Sequence, residues 1–184
     1  MTTTVVVYHS GYGHTQRMAQ FVAEGAGAEL LAIDADGNLP EGGWETLAAA
    51  DAIIMGSPTY MGTVSWQFKK FADASSKAWF AGAWKDKVFA GFTNSASMNG
   101  DKLSTLHYLF TLAMQQGGVW VGNSVMPSNT KAAQRNDPTY LGSFSGAMAQ
   151  SPADAGANEM PQGDLDSAKV FGKRVADFTA RRAK

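Results

Sequence analysis

The sequence predicts an α/β domain built on a doubly wound, five-stranded parallel sheet, with an irregular insertion in the fifth strand. Three observations carry this. Short runs rich in β-branched residues alternate with stretches of helical periodicity along most of the chain. The runs are continuously apolar rather than alternating, as expected for strands covered on both faces. Parallel strands need crossovers, which are right-handed, and the periodic stretches between the runs supply them.

The first strand is Thr3 to His9. After a Gly-containing turn, Met18, Phe21, Val22 and Gly25 share one helical face. Glu29 to Ile33 is a second strand, closed by the turn residues Asp34 to Asn38, and Asp51 to Gly56 is a third. Val64, Phe68 and Phe71 then recur at helical spacing. Lys87 to Phe92 is a fourth strand, and Leu103, Leu106, Phe110 and Ala113 mark a helix that stops near Gly117-Gly118. Val119 to Val121 begins the fifth. Between Gly122 and Gly163 the rhythm breaks into a Ser-, Asn-, Pro- and Gly-rich excursion, too long for an ordinary connection. Within it, Gly146 to Ala149 is suited to complete the interrupted strand. A last helix carries Ala168, Phe171, Val175 and Phe178 on one face and basic residues in its final turn.

The length of 184 residues suits one domain, spanning 1–184. With 45% apolar and 17% charged residues it is globular rather than disordered. The net charge of -1 and the lack of a basic run, apart from Arg181, Arg182 and Lys184, argue against a nucleic-acid partner. Without cysteine there is no disulfide scaffold, thiolate nucleophile or cysteine-ligated metal. Met1 leads directly into the first strand, so neither a signal peptide nor a membrane span is expected, and the cytoplasm is the expected location.

In sheets of this kind ligands bind beyond the carboxyl ends of the strands. Three loops leave strands at that edge. Ser10-Gly11-Tyr12-Gly13-His14-Thr15 precedes a helix, whose free N–H groups and dipole attract an anion. It has no Lys for a Walker loop, and Gln16 replaces the third glycine of a dinucleotide fingerprint. What remains is a neutral cradle for a monophosphate such as that of FMN; the alternative is a plain helix N-cap at Ser10. The second loop, Pro58-Thr59-Tyr60-Met61-Gly62-Thr63, brackets an aromatic with Pro and Gly. Gly62 is suited to present backbone donors to a flavin ring and Tyr60 to wall it, although a plain strand-to-helix turn has the same composition. The third, Asn94-Ser95-Ala96-Ser97-Met98-Asn99, is small and polar and can wrap the pyrimidine edge of the ring. None of the three contains Asp or Glu. Negative charge beside a flavin opposes its fully reduced anion, so acid-free loops favour two-electron chemistry over low-potential electron carriage.

These motifs resemble the WrbA-type NAD(P)H:quinone oxidoreductases of the flavodoxin-like, NADPH-dependent FMN reductase superfamily. The likeness is strongest at Tyr8 to Thr15, Gly56 to Gly62 and Phe68 to Asp73, and it continues through Gly142 to Gln150 and Gly163 to Leu165. It implies a flavodoxin-like strand order, 2-1-3-4-5. It implies that Ser10 to Thr15 hold the ribityl phosphate, that Pro58 to Thr63 lie along the ring and that Asn94 to Asn99 lie at its pyrimidine end. Trp79 matches a Trp that lines the substrate cleft from a neighbouring subunit, with Tyr60 beside it, and the assembly implied is a homo-dimer or homo-tetramer. The implied reaction is ping-pong: NAD(P)H reduces FMN and leaves, and a quinone-like small-molecule acceptor takes both electrons.

His9, His14 and His107 are too scattered to suggest a metal site, and no side-chain triad or carboxylate pair stands out as catalytic. Trp66, Trp84 and Trp120 suit the core or a subunit interface. The excursion, with Met126, Tyr140, Phe144 and Met148, suits an interface and a cleft wall. Two further functions fit the same loops: a one-electron carrier and a regulatory flavin-binding protein.

Overall fold

The computed structural model describes residues 2–182. Its central parallel sheet is formed by β1 (Thr4–His9), β2 (Glu29–Ile33), β3 (Ala52–Tyr60), β5 (Val88–Ser95) and a fifth position shared by β6 (Val119–Trp120) and β7 (Ala147–Gln150). The order β2-β1-β3-β5-β6 is the flavodoxin-like order expected from the sequence. β6 pairs with the start of β5 (Phe89↔Trp120) and β7 with its end (Phe92↔Ala147), so the fifth strand is one line of pairing with the excursion inserted in its middle. The excursion is pinched at its base, where the Asn123 N–H donates to Phe144 O at 2.8 Å.

All six residues of β1 are buried, and successive residues serve opposite faces. Val6 and Tyr8 join Ile54, Phe92, Met18, Val22, Phe171 and Val175 beneath α1 (His14–Ala26) and α6 (Gln162–Arg182). Val5 and Val7 join Ile53, Met55, Phe89, Phe68, Phe71, Leu106 and Leu109 on the other face. That face is covered by α2 (Gly43–Ala49), α3 (Trp66–Ala74) and α5 (Lys102–Gln115). A short α4 (Ser76–Phe80) follows α3. Helices α1 and α6 touch backbone to backbone through paired glycines. A Cβ added to Gly25 would lie 1.9 Å from Lys169 O, and one added to Gly172 would lie 2.0 Å from Val22 O.

The structure departs from the expected elements at several points: α2 and α4 were not expected, and β5 runs past Phe92 to Ser95. β3 continues through Ser57 to Tyr60 and folds back as a hairpin onto β4 (Thr63–Val64), with Met61 and Gly62 both at positive φ in the turn. Val64 is therefore a strand residue, and the helix begins two residues later, capped by Ser65 Oγ on the Phe68 N–H. On α5 the buried face is Lys102, Thr105, Leu106, Leu109, Leu112 and Ala113, while Leu103 and Phe110 are substantially exposed. Phe110 instead meets the Trp120 ring edge-on at the helix flank. No helix among the described residues is long and apolar enough to cross a membrane.

Candidate functional site

A cavity of about 580 Å³ opens at the carboxyl ends of β1, β3, β5 and β7. Its first wall comes from Ser10, Tyr12, His14 and Thr15. Helix α1 begins after Gly13, whose φ of 88° is the left-handed conformation that glycine adopts cheaply. The plain N-cap at Ser10 is thereby excluded. Ser10 Oγ instead accepts the Gly13 N–H at 3.1 Å, which leaves its own proton free to donate. The first backbone bond of the helix runs from Arg17 N to Gly13 O, so the N–H groups of His14, Thr15 and Gln16 have no helical acceptor. No side chain caps them and the first turn holds no acid. These donors and the positive end of the helix dipole suit an anion.

The second wall is Pro58, Thr59 and Tyr60. The Thr59 hydroxyl, nearly buried, bonds Thr93 Oγ1 at 2.8 Å and Thr105 Oγ1 at 2.7 Å, which fixes the floor where β3 and β5 end. Tyr60 reaches across to the first loop: its hydroxyl lies against Gly11, and its ring meets Tyr12 edge-on at 6.2 Å. Burial and the nearby Tyr12 hold the Tyr60 hydroxyl pKa above its ordinary value, against a weaker lowering by the Gly11 backbone bond. Beneath this wall His9 is buried, with Nδ1 2.8 Å from Ser65 Oγ, and burial lowers its pKa.

The third wall, Asn94, Ser95 and Ala96, is braced from behind. Lys102, fully buried at the start of α5, donates to Ser95 Oγ (3.0 Å), Ser97 O (2.7 Å) and Met98 O (2.8 Å). Burial pulls its ammonium down to about 8; Asp164 partly offsets this and Arg135 adds to it. Asp164 is itself buried in a two-pronged pair with Arg135 (2.7 and 2.6 Å) and accepts the Gln150 N–H at 2.9 Å. Gln150 Nε2 in turn donates to Ala96 O at 2.7 Å. A fourth wall, Ser151, Pro152, Ala153 and Ala155, closes the cavity. It is pinned by Ser151 Oγ on Asn94 Oδ1 (2.9 Å) and by His14 Nε2 on Ala155 O (2.8 Å).

The NADPH-dependent FMN reductase family matches residues 43–132. A protein named flavodoxin FldP from Pseudomonas aeruginosa is 56% identical over 176 residues, 96% of each chain. An NAD(P)H dehydrogenase (quinone) of Geotalea uraniireducens is 35% identical over 204 residues, covering 98% of each. The crystal structure of a flavodoxin, WrbA-like protein from Agrobacterium tumefaciens superimposes with a TM-score of 0.80 at 57% identity. It covers 98% of this chain and 99% of its own. The chain belongs to the WrbA-type flavodoxin-like family.

In this WrbA-type chain, Ser10, Tyr12, His14, Thr15, Pro58, Thr59, Tyr60, Asn94, Ser95 and Ala96 converge on the cavity. Gly11 and Gly13 shape its first loop from behind. Met61, Gly62 and Thr63 occupy the hairpin tip, where Met61 is fully exposed, and they do not line the cavity. Ser97, Met98 and Asn99 form the outer bend around Lys102. Trp79 lies on α4, beside a separate cleft that also contains Tyr108 and Gln116; within a single chain it does not reach the cavity. His107 is exposed, Trp84 is in the core and Trp66 is exposed.

The excursion does supply a wall of the cleft, as expected, but through residues other than the apolar ones that suggested it. Pro152, Ala153 and Ala155 carry no chemistry of their own, and it is this part of the excursion, rather than Met126, Tyr140, Phe144 or Met148, that lines the cavity. The one local signal was Gln150-Ser151 directly after the completing strand. Lys102, Arg135 and Asp164 were equally silent, because a lysine opening a helix ordinarily reads as a surface residue. No group of acidic or His side chains among the described residues is arranged to hold a metal ion.

Proposed function

We propose that this chain is an FMN-dependent oxidoreductase that takes two electrons at a time from NADH or NADPH and passes them to a quinone-type acceptor. The observation that carries this is the chemistry of the cavity wall. It has unspent helix N–H donors at one end, a buried amide and hydroxyls at the other, and no Asp, Glu, Lys or Arg along it. Its volume falls within the range of cofactor pockets, and the donor set fits a monophosphate joined to a flat, polar-edged ring.

In this reading residues 1–184 form one FMN-binding domain. Ser10 to Thr15 bind the phosphate through backbone N–H groups and the Ser10 and Thr15 hydroxyls. Pro58, Thr59 and Tyr60 flank the ring, with Met61, Gly62 and Thr63 at its outer edge. Asn94 to Asn99 embrace its pyrimidine end. Bound FMN supplies the two-electron chemistry, while the chain supplies position and field. The wall's lack of carboxylates spares a reduced, more negative cofactor from repulsion. Tyr60 stands at the mouth to meet the acceptor, and Trp79 from a neighbouring copy would complete that cleft. Exposed Trp79, Phe80, Met126 and Phe144 support a homo-dimer or homo-tetramer, and the location proposed for it is the cytoplasm.

A one-electron carrier is the second reading, favoured by the higher identity to the protein named flavodoxin FldP than to the quinone dehydrogenase. Anaerobic titration of FMN-loaded protein with NADH and NADPH, followed by a benzoquinone pulse, separates the two. Bleaching in one two-electron phase and reoxidation by quinone are expected. A flavin that stays yellow with both nucleotides would overturn the oxidoreductase reading.

A further inference from the structure

Lys102 presents a problem that the fold alone does not explain. It is 1% exposed, yet no carboxylate lies within ion-pairing distance, since among the described residues Asp164 is committed to Arg135. Its three donors are spent on neutral oxygens, Ser95 Oγ, Ser97 O and Met98 O, all in one loop. A neutral side chain could brace that loop without the desolvation penalty of a buried ammonium. The charged groups that face Lys102 are Arg135 from the excursion and Asp164 from α6. Two cations and one anion leave a net single positive charge behind the third wall. That charge is one hydrogen bond from the cavity, because Ser95 both bonds the ammonium and lines the cavity.

We propose that Lys102 is a positioning residue whose buried charge makes the cavity bind two-electron-reduced FMN in preference to oxidised FMN, while its three hydrogen bonds hold residues 95–98 against the cofactor. The proposal rests on the FMN reading above. It gives the uncompensated ammonium a counter-charge on the ring, additional to the phosphate present in both states, that arrives only on reduction. The cavity wall has no fixed ionised side chain of its own, so this charge acts on the bound group unopposed by neighbours in the wall. At an effective dielectric constant of about 20, a unit charge within roughly a dozen Å of a bound anion changes its affinity about tenfold.

The test compares wild type, Lys102→Met and Lys102→Arg by the dissociation constants of oxidised and fully reduced FMN and by the two-electron midpoint potential. Lys102→Met should weaken reduced FMN about tenfold more than oxidised FMN, which lowers the potential by about 30 mV. Lys102→Arg should restore most of the difference. Equal weakening of both forms at unchanged potential would reduce Lys102 to a loop brace and overturn the proposal, as would no change in either form. Failure of the wild type to bind FMN would overturn the reading beneath it and the proposal together.

Should the methionine variant not fold, wild type and Lys102→Arg can be compared between pH 7 and pH 9.5. Loss of the lysine proton as pH rises through about 8 should lower the wild-type potential beyond that of the arginine variant. Parallel profiles would overturn the proposal.

Discussion

Replacing Asp164 with Ala tests whether the excursion and the third wall are held by one buried ion pair. The Asp164 carboxylate is 3% exposed and accepts three hydrogen bonds: two from Arg135, at 2.7 and 2.6 Å, and one from the Gln150 N–H. Breaking a fully buried pair costs about 3–5 kcal/mol, because the surviving charge is stranded. The Arg135 side chain is 29% exposed and can regain part of its hydration, which brings the expected loss down to about 2–3 kcal/mol. At about 2–4 °C per kcal/mol for a chain of this size, Tm should fall by on the order of 5–10 °C. FMN affinity should fall as well, because Gln150 loses the backbone bond that aims its side chain at Ala96 O. Urea unfolding and flavin fluorescence read the two effects. In the paired variant Arg135→Met/Asp164→Leu most of the stability should return, since no charge is left stranded. A single variant whose Tm lies within 1 °C of wild type would refute the reasoning, as would a double variant less stable than the single one.

Gly172→Ala should destabilise by about 1–2 kcal/mol in urea, as overpacking against Val22 O outweighs the helix-propensity gain of about 1 kcal/mol. Adding Gly25→Ala should then cost less than it does alone, because α1 and α6 need to part only once; strict additivity would show that the two contacts relax separately. His9 is buried and its pKa is lowered in the fold, so the unfolded chain binds the proton first. Its contribution is complete above about pH 6.5 and is lost as pH falls through the lower folded value, so His9→Gln should flatten the fall in Tm between pH 6.5 and 5. Gly13→Asp should abolish FMN binding by setting a carboxylate at the helix N-terminus and straining a φ of 88°. Full flavin retention on copurification would remove the phosphate-loop assignment.

The strands were legible because each is buried on both faces and so reads as an unbroken apolar run: β1 and β2 match their expected limits within a residue. The first loop was legible from its composition, since two glycines with Ser10 and Thr15 directly before a helix suit an anion cradle. What escaped was structure fixed by long-range contact. Helix α2 is seven residues long and opens on Gly43 and Trp44, with too few turns for a periodic signal. The β3–β4 hairpin hides in Met61-Gly62, because Met at positive φ carries no warning of a turn. The Arg135–Asp164 pair joins positions 29 residues apart. The α5 face was misjudged by a rotation, because Lys102 and Thr105, the residues that turn inward, are polar and earn burial only through partners elsewhere in the fold.

The pinch at Asn123 and Phe144 makes the excursion a module with adjacent ends, entering and leaving the sheet at nearly the same point. A graft in its outer part, between Val125 and Thr130, would lengthen a loop already closed at its neck, and closure entropy grows by only about 0.6 kcal/mol for each doubling of length. The sheet would not register the change, and neither would Arg135 or the fourth wall. Descendants of this chain can therefore remodel the surface they offer to other molecules while the cofactor cradle stays as it is, and an engineer could carry a reporter peptide at the same position.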